Sequence, residues 1–416
     1  MYLKKLLTII KEDRVAFTMG MCIIALAVMG TSVRHVSSSM FGLLFILSLS
    51  ALLSWPKIFS SLTKTEKLFV FAFILYFISG LLAYYNVDDV DKYIKLLERY
   101  LRFLMVIPVF FLIIKKRKSL INYLYIGAGI SGPFVFFVAL NHYSSFPGVP
   151  AKGYYHHIIF GQLAMINAGI MISYLITNKL SRTMQFLILI SILCGLVAVV
   201  LSQARGVWLV FPVYLLIAGV YLFNSGRLRL QTVSVLLVVS FLLVVFTPAG
   251  DLIQQRTKSA SSEISAFYED GKYISSVGTR LAMWEIAIDV WKRHLVVGTG
   301  PGDFDNEVMV LQNNGEYVGM DVHNSVHNIY IQALVGSGVV GFLALIFVLI
   351  MPLAIVFNKN NCEESAKLTG LIIILSFAVF GVSESWVLRL SIISIFLIYT
   401  IVVISHMHIS GRYSKY

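Results

Sequence analysis

The sequence predicts an all-α integral membrane protein with about twelve transmembrane helices and one large, partly helical polar loop. Of its 416 residues, 58% are apolar and 13% are charged, and the mean hydropathy is +0.83. Soluble globular chains are about half apolar and about a quarter charged. Apolar runs near the ~20 residues that a helix needs to cross a bilayer recur along the chain. A single long polar segment, near 248–326, interrupts them.

The apolar runs divide the chain into three predicted regions. Nine spans fall within 1–247, the polar loop occupies 248–326, and three further spans fall within 327–416. The predicted spans are 15–32, 38–55, 67–85, 100–115, 119–141, 157–177, 183–202, 206–223, 230–247, 327–357, 365–383 and 387–408.

Basic residues indicate the orientation of the spans. They concentrate on alternate connections, as in the run Lys115–Lys118, and this bias marks the cytoplasmic side. Both termini are then cytoplasmic, and the loop 248–326 is periplasmic. The net charge of +12 therefore reflects orientation and lipid headgroups, and we expect no nucleic-acid partner. The three cysteines suggest no disulfide framework.

Two helices are predicted within the polar loop. Residues 251–270 favour a polar helix, and 279–294 favour an amphipathic one that Ser276 or Thr279 caps. The glycine-rich run 298–302 ends the second helix. This run lacks the Gly-Lys-Ser/Thr ending of a phosphate-binding loop, so we expect no nucleotide cofactor. The apolar stripe of the second helix consists of Leu281, Trp284, Ile288 and Trp291.

Arginines on the predicted periplasmic side are candidate anion ligands, because a guanidinium suits phosphate oxygens. Arg205 lies in a very short hairpin, where the alternative is an anchor to lipid headgroups. Arg280 lies in the first turn of the second loop helix, where the alternative is an ion pair with Glu285 or Asp289.

Arg99 and Arg102 are weaker candidates on one face at the start of the fourth span. Their alternative is pairing with nearby carboxylates. The candidate partners are Asp88, Asp89, Asp91 and Glu98.

His327, at the membrane boundary, is the candidate catalytic residue. His323 lies four residues earlier, so on a helix the two rings would share a face. One hypothesis is a general base near neutral pH. Others are a zinc pair, with Asp321 or Glu316 as third ligand, and an interfacial histidine bonded to a backbone carbonyl. The zinc hypothesis lacks the glutamate of the His-Glu-x-x-His pattern.

Three motifs resemble those of the bacterial O-antigen ligases. His327-Asn328, nine residues, then Gly338-x-x-Gly341 resembles the family's histidine signature, and Arg205-x-x-x-Leu209 resembles its arginine motif. Arg280 resembles the second functional arginine, although Trp284 stands where leucine is expected. The related O-antigen polymerases share shorter versions and a run like Gly300–Phe304. The alternative for the glycines is close helix packing.

The resemblance implies a GT-C-like membrane glycosyltransferase of lipopolysaccharide biosynthesis in the Gram-negative inner membrane. It would transfer O-antigen polysaccharide from undecaprenyl diphosphate to the lipid A-core at the periplasmic face, inverting the anomeric centre without metal or ATP. Arg205 and Arg280 would hold the diphosphate, and His327 would accept the acceptor hydroxyl's proton. Supporting roles are expected for His323, Asn328, Arg99 and Arg102. The alternatives are an O-antigen polymerase and, less favoured because the spans carry few charges, a polysaccharide or lipid transporter.

The orientation is testable with reporter fusions. A reporter active only in the periplasm should be active when fused after Asp270 and silent when fused after Tyr416, because basic residues retain their connections in the cytoplasm. The measurement is reporter activity at equal fusion abundance. The reverse pattern would contradict the proposed side of the chemistry.

Overall fold

The computed structural model describes residues 13–226, 275–318, 320–323, 325–359 and 362–413, with isolated positions 262, 263, 265 and 267. Every regular element within these ranges is a helix. Short 3-10 turns cover Ala83–Asn86 and Trp386–Leu388. The α-helices are α1 Arg14–Met29, α2 Val36–Leu52, α3 Trp55–Ser61, α4 Lys64–Leu82, α5 Val90–Lys116, α6 Ile121–Ser145, α7 His157–Thr177, α8 Arg182–Leu201, α9 Arg205–Trp208, α10 Phe211–Asn224, α11 Ser276–Arg293, α12 Phe304–Asn313, α13 Ile329–Asn358, α14 Glu364–Ser383 and α15 Leu390–Tyr413.

Eight helical segments in the described part of the chain are long and apolar enough to cross a membrane. They are Lys64–Asn86, Ile121–Ser145, His157–Thr177, Arg182–Leu201, Arg205–Asn224, Ile329–Asn358, Glu364–Ser383 and Leu390–Gly411. The pair α2 and α3, bent by 92°, would make a ninth. The expectation of an all-helical, multi-pass membrane architecture is therefore confirmed.

The number twelve, the GT-C-like class and the three-region division stay predictions. Helices cover all but one of the predicted spans, and the span 230–247 lies outside the described residues. α1 has only 16 residues, and α5 carries several charges along its first half, so neither is among the eight. The predicted helix 251–270 also lies outside the described residues, apart from the isolated positions.

Polar side chains inside the bundle bond to one another. The Asn167 amide donates to the Ala27 carbonyl at 2.9 Å and to the Ser131 hydroxyl at 2.8 Å, while the Tyr399 hydroxyl donates to its oxygen at 2.9 Å. These bonds join α7 to α1, α6 and α15. Because a bilayer offers few alternative partners, such bonds fix the order of the helices.

α13 is broken at Gly338, which has φ 63° and ψ −163°. The freed Val335 carbonyl accepts a hydrogen bond from the Thr299 backbone at 2.9 Å, and the Val339 backbone N–H donates to the Leu295 carbonyl at 2.9 Å. Segment 295–299 thus fills the break and satisfies its backbone. Close packing of two helices does not explain Gly338. Its backbone is non-helical, and the loop residues Val296 and Val297 lie against it where α13 is broken.

The second loop helix is present, but it begins three residues earlier than predicted and buries a different face. α11 begins at Ser276, and the Ser275 hydroxyl caps it by accepting from the Gly278 N–H at 2.9 Å. The predicted apolar stripe is only half-buried, because neighbouring positions face the α13 start instead. The fully buried positions are Ala282, Met283, Ile286, Ala287 and Val290.

Gly338→Ala should destabilise the protein, because a Cβ there would collide with the Val296 carbonyl in a conformation that L residues rarely adopt. We expect a loss of roughly 1–3 kcal/mol or more, measured as a lower Tm in detergent. Gly42→Ala is the matched control, since nothing lies within 4 Å of its added Cβ. Equal Tm values for the two variants would contradict the assignment of strain at Gly338.

Candidate functional site

The starts of α11 and α13 and the end of α14 meet at one end of the bundle, and Asn328 joins two of them. As the N-cap of α13, its side-chain oxygen accepts from the Tyr330 and Ile331 N–H groups at 2.9 and 3.2 Å. Its own backbone N–H donates to the Ser385 hydroxyl at 3.1 Å, and its amide donates to the Val382 carbonyl at 3.3 Å. The asparagine of the motif therefore fixes the start of α13 against the end of α14.

His327 immediately precedes this cap and has a left-handed backbone, with φ 52°. The prediction that His323 and His327 share a helix face is wrong, because α13 begins only at Ile329. Their rings nevertheless lie 5.7 Å apart, edge to face. Left-handed backbone is uncommon outside glycine and persists where surrounding contacts hold it.

Both backbone polar groups of the neighbouring residue Val326 are bonded to side chains. Its N–H donates to the Gln332 side chain at 3.1 Å, and its carbonyl accepts from the Trp284 indole at 2.8 Å. The indole belongs to α11, so this bond also sets the position of α11 beside His327. Together with the Asn328 cap, it accounts for the persistence of the strained backbone.

Glu384 is the partner of His327. Its Oε2 lies 3.1 Å from Nδ1 of the imidazole, and its Oε1 lies 3.8 Å from Nε of Arg389. A carboxylate accepts, so Nδ1 carries the proton in a neutral ring and Nε2 remains as the acceptor. Burial alone would raise the pKa of Glu384, but the hydrogen bond and charge of His327, then the charges of Arg389 and His156, lower it overall.

A cavity of about 380 Å³ contains both His327 and Arg280. Asp321 and His323 line it as well, together with Ser275, Thr279 and Met283. Burial, followed by the charge of His327, lowers the pKa of His323, while Asp321 opposes the change. The cavity thus offers a guanidinium fork and two imidazoles to one ligand.

Arg280 is not in the first turn of its helix, as predicted, but is the fifth residue of α11. The intrahelical alternative is not what the structure shows, because the two candidate carboxylates have other partners. Asp289 bonds Lys292 at 2.8 Å, and Glu285 accepts from the Tyr317 hydroxyl at 3.4 Å. The guanidinium therefore lines the cavity.

Arg205 lies at the same end of the bundle but does not line that cavity. It is an exposed residue that begins α9. The preceding turn is held where the His157 ring bonds the Ser202 carbonyl at 2.8 Å. The following Gly206 approaches Ser383 so closely that a Cβ would collide with its hydroxyl. Arg205 therefore lies beside the end of α14, where Glu384 directly follows Ser383.

The two weaker candidates differ in their surroundings. Arg102 is buried and donates to the Leu390 carbonyl at 3.1 Å, to the Ser394 hydroxyl and to the Ser38 hydroxyl at 3.1 Å. It also pairs with Glu98 at 3.5 Å, which is one of its predicted partners. Arg102 therefore joins α5 to α2 and α15, whereas Arg99 makes no comparable set of bonds within the described residues.

The zinc hypothesis finds no support in the geometry. Within the described ranges, no group of three or more His, Cys, Asp or Glu side chains is arranged to hold a metal ion. Asp321 lines the cavity beside the two histidines, whereas Glu316 does not. His327 directs Nδ1 to Glu384 instead.

Glu384 and Arg389 were missed at the sequence level. The available signal was a single acidic residue at the end of a 20-residue apolar helix, followed five positions later by a basic one. An ionisable residue at such a boundary suggests a function. Its partner lies 57 positions away, so no local pattern identifies His327 as that partner.

Comparisons with known proteins agree with these motifs. The family described as O-antigen ligase matches residues 186–346, a range that includes Arg205, Arg280 and His327. An uncharacterized protein of Haemophilus influenzae is 26% identical over 400 residues, covering 91% of this chain and 95% of that protein. A protein of Escherichia coli K12 named O-antigen ligase is 24% identical over 226 residues, 53% of this chain and 52% of that protein. The resemblance to the O-antigen ligase family is confirmed.

Glu384→Gln should destabilise the fold in a pH-dependent manner. Because the folded pKa of Glu384 lies below its usual 4.5, the stabilisation is complete above that value and is lost as pH falls through the lowered pKa. We expect a deficit of about 1–3 kcal/mol at pH 7, seen as a lower Tm, that shrinks towards about pH 3.

The control for this experiment is Glu364→Gln. Glu364 is an exposed carboxylate that pairs with Lys367 at the other end of α14, so its loss should matter little. A Glu384→Gln deficit of the same size at both pH values would show that the carboxylate's pKa is not lowered by folding.

Proposed function

We propose that the protein is an O-antigen ligase, transferring O-antigen polysaccharide from undecaprenyl diphosphate to a sugar hydroxyl of the lipid A-core. The observation that carries this proposal is the common cavity of Arg280 and His327. It pairs a group that binds phosphate oxygens with a group that accepts a proton. The family match and the E. coli relative named O-antigen ligase support the same activity.

The proposed reaction needs one nucleophile, one base and one stabilised leaving group. The acceptor hydroxyl oxygen attacks the anomeric carbon and forms the new glycosidic bond, while the bond from that carbon to the diphosphate oxygen breaks. The hydroxyl proton passes to Nε2 of His327, and the electron pair of the broken bond stays on undecaprenyl diphosphate. Attack from the face opposite the leaving group inverts the anomeric centre.

Each site residue has a role in this proposal. Arg280 holds the diphosphate and stabilises the charge that develops as it leaves. Arg205, on the neighbouring turn, binds the same lipid-linked donor from the headgroup side. Glu384 acts as a positioning residue, because it fixes the tautomer and orientation of His327. Neither ATP nor a metal has a role, since a diphosphate already leaves readily. The donor's glycan would lie in the periplasm, at the inner membrane.

His327→Ala should lower transfer about 10²- to 10⁴-fold while donor binding survives. Arg280→Ala should weaken donor binding, and Arg280→Lys should not restore it, since lysine lacks the fork. The measurements are transfer rate and donor affinity of the purified protein with lipid-linked donor and lipid A-core acceptor. His294→Ala and Arg293→Ala are matched controls, since Arg293 is exposed, His294 is partly exposed, and neither lines the cavity. Wild-type transfer by His327→Ala would eliminate the base assignment.

A deletion strain separates the ligase from the O-antigen polymerase, the second candidate. The polymerase would use the same donor but another lipid-linked glycan as its acceptor. On a lipopolysaccharide gel, bare lipid A-core with accumulated lipid-linked polymer supports the ligase. Lipid A-core capped by a single repeat unit would instead identify the polymerase, and an unchanged gel would contradict both.

A further inference from the structure

Arg99 carries buried nitrogen atoms without hydrogen-bond partners. Within the described part of the chain, its Nε and Nη1 are both buried and unpaired, although Nη1 and Nη2 of Arg102, three residues later, donate to α15 and α2. A charged N–H group that has lost water and gained no partner is costly, so native proteins rarely keep one without a reason. Arg99 therefore lacks an acceptor among the residues that the structure describes.

Arg389 lies close to Arg99. The Arg102 side chain, about one turn after Arg99 on α5, donates at 3.1 Å to the carbonyl of Leu390, the residue that follows Arg389. The positive charge of Arg389 acts on Arg99 together with the negative charge of Glu98. Arg389 is 44% exposed, and its Nε lies 3.8 Å from Glu384, beyond hydrogen-bond range. Across the described ranges, neither guanidinium has a carboxylate within hydrogen-bond range.

The surrounding carboxylates are already engaged. Glu384 bonds His327 with its other oxygen, and Glu98 is 55% exposed and pairs with Arg102. Among the described residues, Arg102 of α5 and His156 at the start of α7 are further basic groups that act on the pair. The cluster therefore keeps a positive excess.

We propose that Arg99 and Arg389 form a binding site for a lipid phosphate, separate from the cavity of Arg280 and His327. Two forks provide several N–H donors to the oxygens of one phosphate, and the anion offsets their mutual repulsion. Neither residue lines the Arg280 cavity. The inference concerns binding alone and does not rest on the proposed function.

The position of Arg99 indicates that the phosphate belongs to a lipid. Arg99 lies in the third turn of α5, roughly 13 Å along the helix from its start. Ile94 and Leu101, on the same helix, are 59% and 40% exposed and offer apolar surface near Arg99. A lipid that places its phosphate at Arg99 can lay its tail against this surface, which a free anion cannot use.

The test measures affinity of the full-length protein in detergent for dioleoyl phosphatidic acid, from the dependence of Tm on lipid concentration. Arg389→Gln and Arg99→Gln should each weaken binding at least tenfold. Arg293→Gln, which removes an exposed guanidinium paired with Glu307, should leave it within about twofold. Because Arg389 is exposed, its variant should fold even if Arg99→Gln does not.

Two comparison ligands separate the possible sources of the anion. Dioleoylglycerol, which has the tails without the phosphate, should not stabilise the protein through these arginines. Inorganic phosphate should stabilise it far more weakly than the lipid. Equal stabilisation by inorganic phosphate, abolished in Arg389→Gln, would show a free-anion site and overturn the lipid assignment.

Unchanged affinity for phosphatidic acid in Arg389→Gln would overturn the site itself. Equal losses of undecaprenyl diphosphate binding in Arg389→Gln and Arg280→Ala would show a single site and overturn the separation. The two proposals can fail separately. If the wild-type protein does not transfer glycan but binds phosphatidic acid as expected, the proposed function is rejected and this inference is supported.

Discussion

The break in α13 at Gly338 is the constraint on which the candidate site depends. A helix within a membrane protein tolerates an interruption only where other groups satisfy the freed backbone. Segment 295–299 does so, with bonds from Thr299 to Val335 and from Val339 to Leu295. Because this segment directly follows α11, the break fixes the helix that carries Arg280 against the helix that follows His327. A local backbone requirement thereby places two distant functional groups in one cavity.

The same segment is tied to a third part of the chain. The Asn86 amide donates to the Gly298 carbonyl at 2.7 Å, and the Asp303 carboxylate accepts from the Asp88 N–H at 3.0 Å. The connection between α4 and α5 is thus bound to the glycine-rich run. Burial raises the pKa of Asp303 while the backbone bonds to Asp88 and Asp89 oppose this. The loop helices consequently belong to the bundle's framework, and α5 enters the bundle at a fixed position.

The sequence predicts those features that depend on composition or on residues close in the chain. Hydropathy predicts the apolar helices, and motif resemblance selects His327 and Arg280 as candidates, because neither step requires knowledge of a distant partner; the structure brings both residues to one cavity. The break at Gly338 could not be predicted, since apolar residues continue on both sides of it and small residues also suit helix packing. Arg99 and Arg102 likewise look equivalent on one helix face, and only bonds to α2 and α15 distinguish them.

Glu384 could not be predicted for the same reason, and its position links His327 to Arg389. One oxygen bonds His327, and the other faces Arg389 across 3.8 Å. If a lipid phosphate binds Arg389 as proposed, it competes with Glu384 for that guanidinium, and the carboxylate's charge then acts more fully on the imidazole. By thermodynamic linkage, protonation of the imidazole would favour phosphate binding to the same extent. Under these two proposals, the buried carboxylate shared between His327 and Arg389 would couple phosphate binding at Arg389 to the protonation of the imidazole.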